Sequence, residues 1–145
     1  MNNKSIKQMA KMVDAVQPSC NDKVTAAMTC SLAGTMESFL ISRALGGLGA
    51  IPQSVKLPNP VFIAVGEEYV YAFEYAPKGF GFKIKKEVAR WPKGQLTAAA
   101  ERKTGMVNLV LAPGTGEHYG LEIPIMMGGK EVVEMFVEAL GTSLN

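Results

Sequence analysis

The chain has 145 residues, of which 48% are hydrophobic and 19% are charged. This length suits one domain with a single core, and the apolar content excludes an intrinsically disordered protein. Fifteen Lys and Arg residues against thirteen Asp and Glu give a formal net charge of +2 at pH 7, far below the basic excess of a dedicated nucleic-acid binder, so no nucleic-acid partner is expected.

Residues 1–17 are predicted to form an amphipathic helix that ends before Pro18, because proline restricts the residue before it. Apolar residues recur at helical spacing on one side of this segment, and lysines fall on the other. The apolar positions are Ile6, Met9, Val13 and Val16, and the basic positions are Lys4, Lys7 and Lys11. The lysines leave no continuous apolar core for a secretory signal, so a cytoplasmic protein is expected.

The cysteines and the histidine do not form a recognisable metal-binding, redox or catalytic motif. Cys20 and Cys30 lack the spacing of a zinc or redox motif, and His118 is the only histidine. Free thiols are predicted, Cys30 being a small core residue. Neither a metal nor a cofactor is expected, and no catalytic residue can be named.

The segment after the predicted strand at residues 24–33 is an insertion that covers residues 35–60. It should open with a short helix that has Thr35 as its N-cap and Glu37 in the first turn, where a carboxylate suits the helix dipole. The glycine-rich stretch RALGGLGAIPQ, residues 43–53, follows. Three interpretations are open for it: a phosphate cradle, an apolar tip that contacts a membrane or partner, and a flexible connection packed on the domain.

The centre of the chain is predicted to form antiparallel strands separated by turns that contain Gly and Pro. Residues 60–65 and 69–75 are predicted to form a hairpin with the turn at 66–68, in which the aromatic residues of the second strand share one face. Trp91 is expected to be partly exposed at the edge. Further strands are predicted at 82–91, 95–103, 106–111 and 119–125, and an amphipathic helix at 129–140.

This order of elements resembles a small bacterial pleckstrin-homology-like (PH-like) domain and its GRAM-like relatives. The segments that carry the resemblance are VFIAVGEEYVYAFEY, KEVARWPKGQLTAAAERKTGMVNLVLA and HYGLEIPIMMGGKEVVEMFVEALG, within residues 22–141. The resemblance implies a partly open barrel of about seven antiparallel strands in two roughly orthogonal sheets, capped by the C-terminal helix. It also implies a binding function without catalysis.

Eukaryotic members of these families often hold phosphoinositide headgroups through basic residues in the loop after the first strand. Here the corresponding segment carries only Arg43 and Lys56. The resemblance therefore favours a module that binds protein partners, including a homo-oligomer.

Two candidate surfaces follow from the sequence. A basic segment could contact an anionic surface such as a membrane, and it consists of Lys78, Lys83, Lys85, Lys86, Arg90 and Lys93. Apolar residues of the insertion and of the N-terminal helix could contact a partner, and they are Leu45, Leu48, Ile51, Ile6, Met9 and Val13. Peripheral lipid binding is the alternative to protein binding.

Overall fold

A computed structural model describes residues 3–125 and 129–144 of the chain. Its helices and strands lie within a few residues of the predicted elements. In chain order they are α1 Asn3–Val16, β1 Val24–Leu32, α2 Ser38–Leu45, β2 Val61–Gly66, β3 Tyr69–Lys78, β4 Gly81–Pro92, β5 Thr97–Lys103, β6 Met106–Ala112, β7 Tyr119–Pro124 and α3 Gly129–Ala139.

Seven antiparallel strands are present, as predicted, and they form one sheet in the order β4-β3-β2-β1-β7-β6-β5. The sheet is not closed, so β4 and β5 are its two edges. β1 joins its two halves: residues from Val24 to Cys30 pair with β2, whereas only Ser31 and Leu32 pair with β7.

The sheet is curled, because residues on distant strands touch. The rings of Trp91 on β4 and Tyr119 on β7 have centroids 5.2 Å apart. In a flat sheet these two strands would lie about 19 Å apart, at roughly 4.8 Å for each of the intervening steps. The predicted partial exposure of Trp91 is wrong: its side chain is 7% exposed, since the curl encloses it.

Helix α1 packs along β1 where β7 does not. The backbone N–H of Ala27 donates to the Met9 sulfur at 3.3 Å, and Met12 and Val16 are buried beside it. The buried stripe is therefore rotated from the predicted one, because Met12 belongs to it while Ile6 remains 48% exposed and Val13 is partly buried. The N-terminal helix thus shares the core of the sheet.

Helix α2 covers the outer face of the β5–β6 hairpin. It begins at Ser38 with Glu37 as its N-cap, so the predicted cap at Thr35 is wrong. The Glu37 carboxylate forms an ion pair with Lys103 and makes no capping bond. A small second core holds the helix in place, formed by Leu40, Ala44, Leu45, Ala99, Val110 and Ala112.

Helix α3 contributes a buried face to the main core and packs against β1 and α1. Val132, Val133, Phe136 and Val137 form this face, all fully buried. Because α1 and α3 contact each other as well as β1, the two helices and the central strand form one packed unit.

We predict that Phe136→Ala lowers the free energy of unfolding by about 3–5 kcal/mol, as truncation of a buried Phe does. The ring is 0% exposed, so its removal leaves a cavity in the main core. Denaturant unfolding followed by circular dichroism measures the change, with the exposed Glu138→Ala as the control on the same helix. A loss below about 1 kcal/mol would mean that α3 is not docked.

Candidate binding surface

The lysines near the β3–β4 turn lie on one face of the hairpin. Lys78 pairs with Gly81 and Lys83 with Ala76, and opposite residues of an antiparallel pair share a face. Lys85 and Lys86 together oppose Glu74 at a bulge in β4, on the face of Ala76, and both are exposed. The distal end of this hairpin is therefore strongly basic.

Phe80 occupies the tip of the same hairpin and is 98% exposed. The preceding Gly79 has φ +59°, a left-handed conformation that glycine adopts without strain. Below the tip, Phe82 packs edge-on against Phe62 and Tyr75, with ring centroids 5.5 and 5.9 Å away. Aromatic packing holds the hairpin as far as the Pro77–Phe82 pair, one pair before the turn, and Phe80 projects beyond it.

Helix α1 brings a second set of lysines to this place. The Lys11 ammonium donates to the backbone carbonyl of Phe80, across a separation of 69 residues in sequence. Lys4, Lys7 and Lys11 lie on one stripe of the helix at spacings of three and four residues. With Gln8 they line a groove of about 380 Å³.

We call this combined region the basic surface. It consists of Lys4, Lys7, Lys11, Lys78, Lys83, Lys85, Lys86 and Phe80. The exposed acids on the same helix and strands are Asp14 on α1 and Glu74 on β3, so the lysines outnumber them. The surface is positive over the outer side of α1 and the end of the hairpin.

Arg90 and Lys93 of the predicted basic segment lie elsewhere. Lys83 pairs with Ala76 and Arg90 pairs with Tyr71, five residues away on β3, which is about 17 Å at roughly 3.3 Å per residue. Because five is an odd number, Arg90 lies on the other face of the hairpin. The Arg90 guanidinium forms an ion pair with Glu87 at 2.9 Å and lies over the Tyr71 ring, 4.9 Å from its centroid. Lys93 is half-buried, and its backbone N–H donates to the Glu68 carbonyl at 2.8 Å. The structure therefore divides the predicted set.

The end of the sheet near Arg90 is organised by Asp22. Its carboxylate accepts from the backbone N–H groups of Glu67, Glu68 and Tyr69 at 3.0, 2.9 and 3.0 Å. Burial opposes ionisation, but these hydrogen bonds outweigh it and lower the pKa of Asp22. A Cβ at Gly66 would lie 2.1 Å from Asp22 Oδ2, so this close approach requires glycine. Asp22 acts as the cap of the β2–β3 turn.

The two cysteines are free, as predicted, and both are buried, although burial was predicted only for Cys30. Burial, together with the carboxylates of Glu87 and Asp22, raises the pKa of Cys20 to about 11. Burial also raises the pKa of Cys30. Since the thiolate is the nucleophile, both side chains are held in the unreactive form at neutral pH.

The glycine-rich stretch follows the C-terminus of α2. Gly46 has φ +59° and its N–H donates to the Ser42 carbonyl, which terminates the helix. A helix C-terminus presents carbonyl oxygens, so the phosphate-cradle interpretation is wrong for this position. Leu45 is buried in the second core, whereas Leu48 and Ile51 are 49% and 48% exposed.

Glu117 links the β6–β7 loop to Ser54, the residue after the glycine-rich stretch. This buried carboxylate accepts from the Ser54 backbone N–H, from the Thr115 hydroxyl at 2.9 Å and from the Tyr119 hydroxyl at 3.0 Å. Hydrogen bonds from Ser54, through its side chain and backbone, and from Thr115 lower the pKa of Glu117 to about 2. The insertion is therefore held against the domain.

Further bonds join the two segments. The Ile51 N–H donates to the Gly116 carbonyl at 2.9 Å, and Gln53 donates to the His118 carbonyl at 2.6 Å. His118 thus contributes its backbone to this junction. In residues 3–125 and 129–144, no three His, Cys, Asp or Glu side chains converge as metal ligands.

Of the predicted partner-contact residues, Met9 is buried against β1 and Leu45 in the second core, so neither lies on an exposed surface. Ile6, Leu48 and Ile51 are each about half exposed, and Val13 is partly buried. The sequence interpretation missed Phe80 and the α1 lysines as parts of one surface. None of the helices within the described ranges is long and apolar enough to span a bilayer.

No protein-family model matches the chain, and no curated protein sequence matches it either. The PH-like resemblance therefore remains a prediction.

We predict that Glu117→Gln lowers the free energy of unfolding at pH 7 by about 1–3 kcal/mol, because hydrogen bonds to a charged acceptor are replaced by weaker ones. The folded pKa of about 2 lies below the unfolded value of about 4.3. The carboxylate's contribution is therefore complete above about pH 4.3 and is lost as the pH falls through the folded pKa.

Denaturant midpoints at pH 7 and pH 3 test this prediction. The difference between wild type and Glu117→Gln should be smaller at pH 3, where part of the wild-type contribution has been lost. Glu138→Gln, at an exposed position of α3, serves as the control for a general effect of removing one charge. An undiminished difference at pH 3 would contradict the assigned hydrogen bonding.

Proposed function

We propose that this chain is a non-enzymatic binding module of PH-like type that engages an anionic partner through the basic surface. The single observation that carries the proposal is the contact between Lys11 and the Phe80 carbonyl. It brings the α1 lysines to the hairpin lysines, although the two groups are distant in sequence. Charge is thereby concentrated on one side of a chain whose overall net charge is only +2.

The PH-like part of the proposal draws support from three features of the fold. β1 pairs with strands of both halves of the sheet, the curl brings Trp91 against Tyr119, and α3 packs into the core. Two roughly orthogonal sheets around a shared core would produce this combination. We propose that arrangement as the finer description of the fold.

Electrostatic attraction explains how such a surface would bind. A lysine near an anionic phospholipid surface contributes about 1 kcal/mol, and several lysines on one side act together. The attraction decays over roughly 8 Å at physiological ionic strength, so binding should weaken steeply with added salt. Exposed lysines on a hairpin and a helix reach an anionic partner without any change in the fold.

We predict that replacing Lys83, Lys85 and Lys86 together with Gln weakens binding to phosphatidylserine-containing vesicles or to polyglutamate by about 100-fold. Three lysines at about 1 kcal/mol each account for this factor. Cosedimentation measures vesicle binding, and fluorescence anisotropy of labelled polyglutamate measures peptide binding. Both titrations are run at low and at physiological salt.

The matched control replaces Arg43, Lys56 and Arg102 with Gln. These exposed residues lie on α2, the insertion and β5, so the variant loses the same charge outside the basic surface. It should bind nearly as tightly as wild type. Equal losses in both triple variants would attribute binding to net charge alone and overturn the proposal, as would the absence of binding to either probe at low salt.

A protein partner, including a second copy of the chain, is the second candidate. The observation that favours it is a set of half-exposed apolar side chains on α2 and the segment after it: Phe39, Leu48 and Ile51. Helix α1 gives no such support, because its buried stripe packs on its own sheet. Deleting residues 1–17 would therefore remove part of the core.

For self-assembly through these residues we predict a mass above the 15.5 kDa monomer in light scattering at high concentration. Replacing Leu48 and Ile51 with Ser should return the mass to that of the monomer, because the half-exposed apolar area that drives association is removed. Ile6→Ser, equally exposed on α1, is the control. A wild-type protein that stays monomeric contradicts the self-assembly candidate.

A further inference from the structure

We infer that the anionic partner is a phospholipid bilayer and that the Phe80 side chain inserts into it. This inference rests on the proposed function, because it identifies the partner of the same basic surface. It adds an apolar contact to the electrostatic one. It also predicts the selectivity of the basic surface among anionic lipids.

Phe80 is the observation that points to a bilayer. Its side chain is 98% exposed, about twice the exposure of Phe39, the next most exposed phenylalanine among those described. A Phe ring in water forgoes the stabilisation that burial gives, and most Phe residues of folded proteins are buried. The ring stands at the tip of a hairpin, where it can leave water without any rearrangement of the sheet.

The position of the lysines fits the depth of such an insertion. Lys78 and Gly81 form the last pair of the hairpin, and Lys83 lies two residues further from the tip, about 7 Å along the strand. Apolar side chains of interfacial segments enter roughly 5–10 Å into the boundary between headgroups and acyl chains. With the Phe80 ring at that depth, the lysines would lie at the level of the phosphates.

Helix α1 would lie beside the hairpin at the membrane surface. Its lysine stripe begins at the Phe80 carbonyl and runs along the exposed side of the helix. An acidic peptide could pair with these lysines, but without an apolar region it would leave the Phe80 ring in water. A bilayer accommodates both the aromatic tip and the flanking charges.

The geometry further predicts that the basic surface selects vesicles by their charge density and does not prefer one lipid headgroup. The seven lysines of the basic surface are exposed on a hairpin and a helix. The groove that Lys4, Lys7 and Lys11 line is open to solvent and does not include the four hairpin lysines, so it does not enclose a headgroup. Vesicles of equal surface charge should therefore bind equally, whether phosphatidylserine or a phosphoinositide supplies the charge.

The experiment compares Phe80→Ala with wild type on phosphatidylserine-containing vesicles and on polyglutamate. Loss of the ring should weaken vesicle binding about 10-fold or more, in line with the transfer free energy of a Phe side chain, and leave polyglutamate binding unchanged. Phe39→Ala, on α2, removes a half-exposed ring outside the basic surface and should bind vesicles like wild type.

A direct readout comes from Phe80→Trp. The fluorescence of the introduced indole should shift to the blue on adding phosphatidylserine-containing vesicles and should be quenched by lipids brominated on their acyl chains. Trp91 is buried, so the wild-type protein supplies the background signal. Vesicles of phosphatidylcholine alone should produce neither change, because they lack the anionic charge.

The outcomes separate this inference from the proposed function. Vesicle binding that depends on the lysines but not on Phe80, or no quenching of the introduced indole in Phe80→Trp, would overturn the insertion. Lysine-dependent binding to polyglutamate without vesicle binding would overturn the bilayer as partner while the proposed function stands. A strong preference for a phosphoinositide at equal vesicle charge would overturn the predicted selectivity.

Discussion

Only the last two residues of β1 pair with β7, and much of the fold accommodates the gap that this short pairing leaves. Along the rest of β1, no strand of the described residues pairs on the side opposite β2, and α1 covers that side through the contact of Met9 with the Ala27 N–H. Backbone donors must be satisfied inside a protein, so the helix is required at that position. The gap thereby determines the position of α1. In that position Lys11 of α1 contacts the β3–β4 hairpin.

The secondary-structure elements could be predicted from the sequence. The buried face of each element and the contacts between distant residues could not. Period-2 and period-3.6 patterns are local, so the strands and the terminal helix could be located from them. The buried face of α1 could not, because Met12 and Val13 are both apolar and only the shape of the sheet selects Met12. The prediction for Trp91 failed for the same reason, since its burial depends on Tyr119 on another strand.

The candidate surface was predictable only in part. The hairpin lysines stood out as a charge run, but the strand register places Arg90 on the other face, and Lys93 is partly buried after the end of β4. Phe80 offered one local signal, a large apolar residue between two glycines in the turn of KGFGFK. Its proximity to Lys11 depends on the packing of α1 on the core, which no local pattern contains.

The lysines of β4 could also serve only to protect an open sheet edge, since charges on an edge strand prevent pairing with other chains. That role accounts for Lys83, Lys85 and Lys86 on β4, which is an edge of the sheet. It does not account for the lysine stripe of α1, because a helix has no unpaired edge to protect. Nor does it account for Phe80, because an exposed apolar tip promotes association. Protection of the edge and binding to a bilayer are compatible. Only binding to a bilayer accounts for the β4 lysines, the lysine stripe of α1 and Phe80 together.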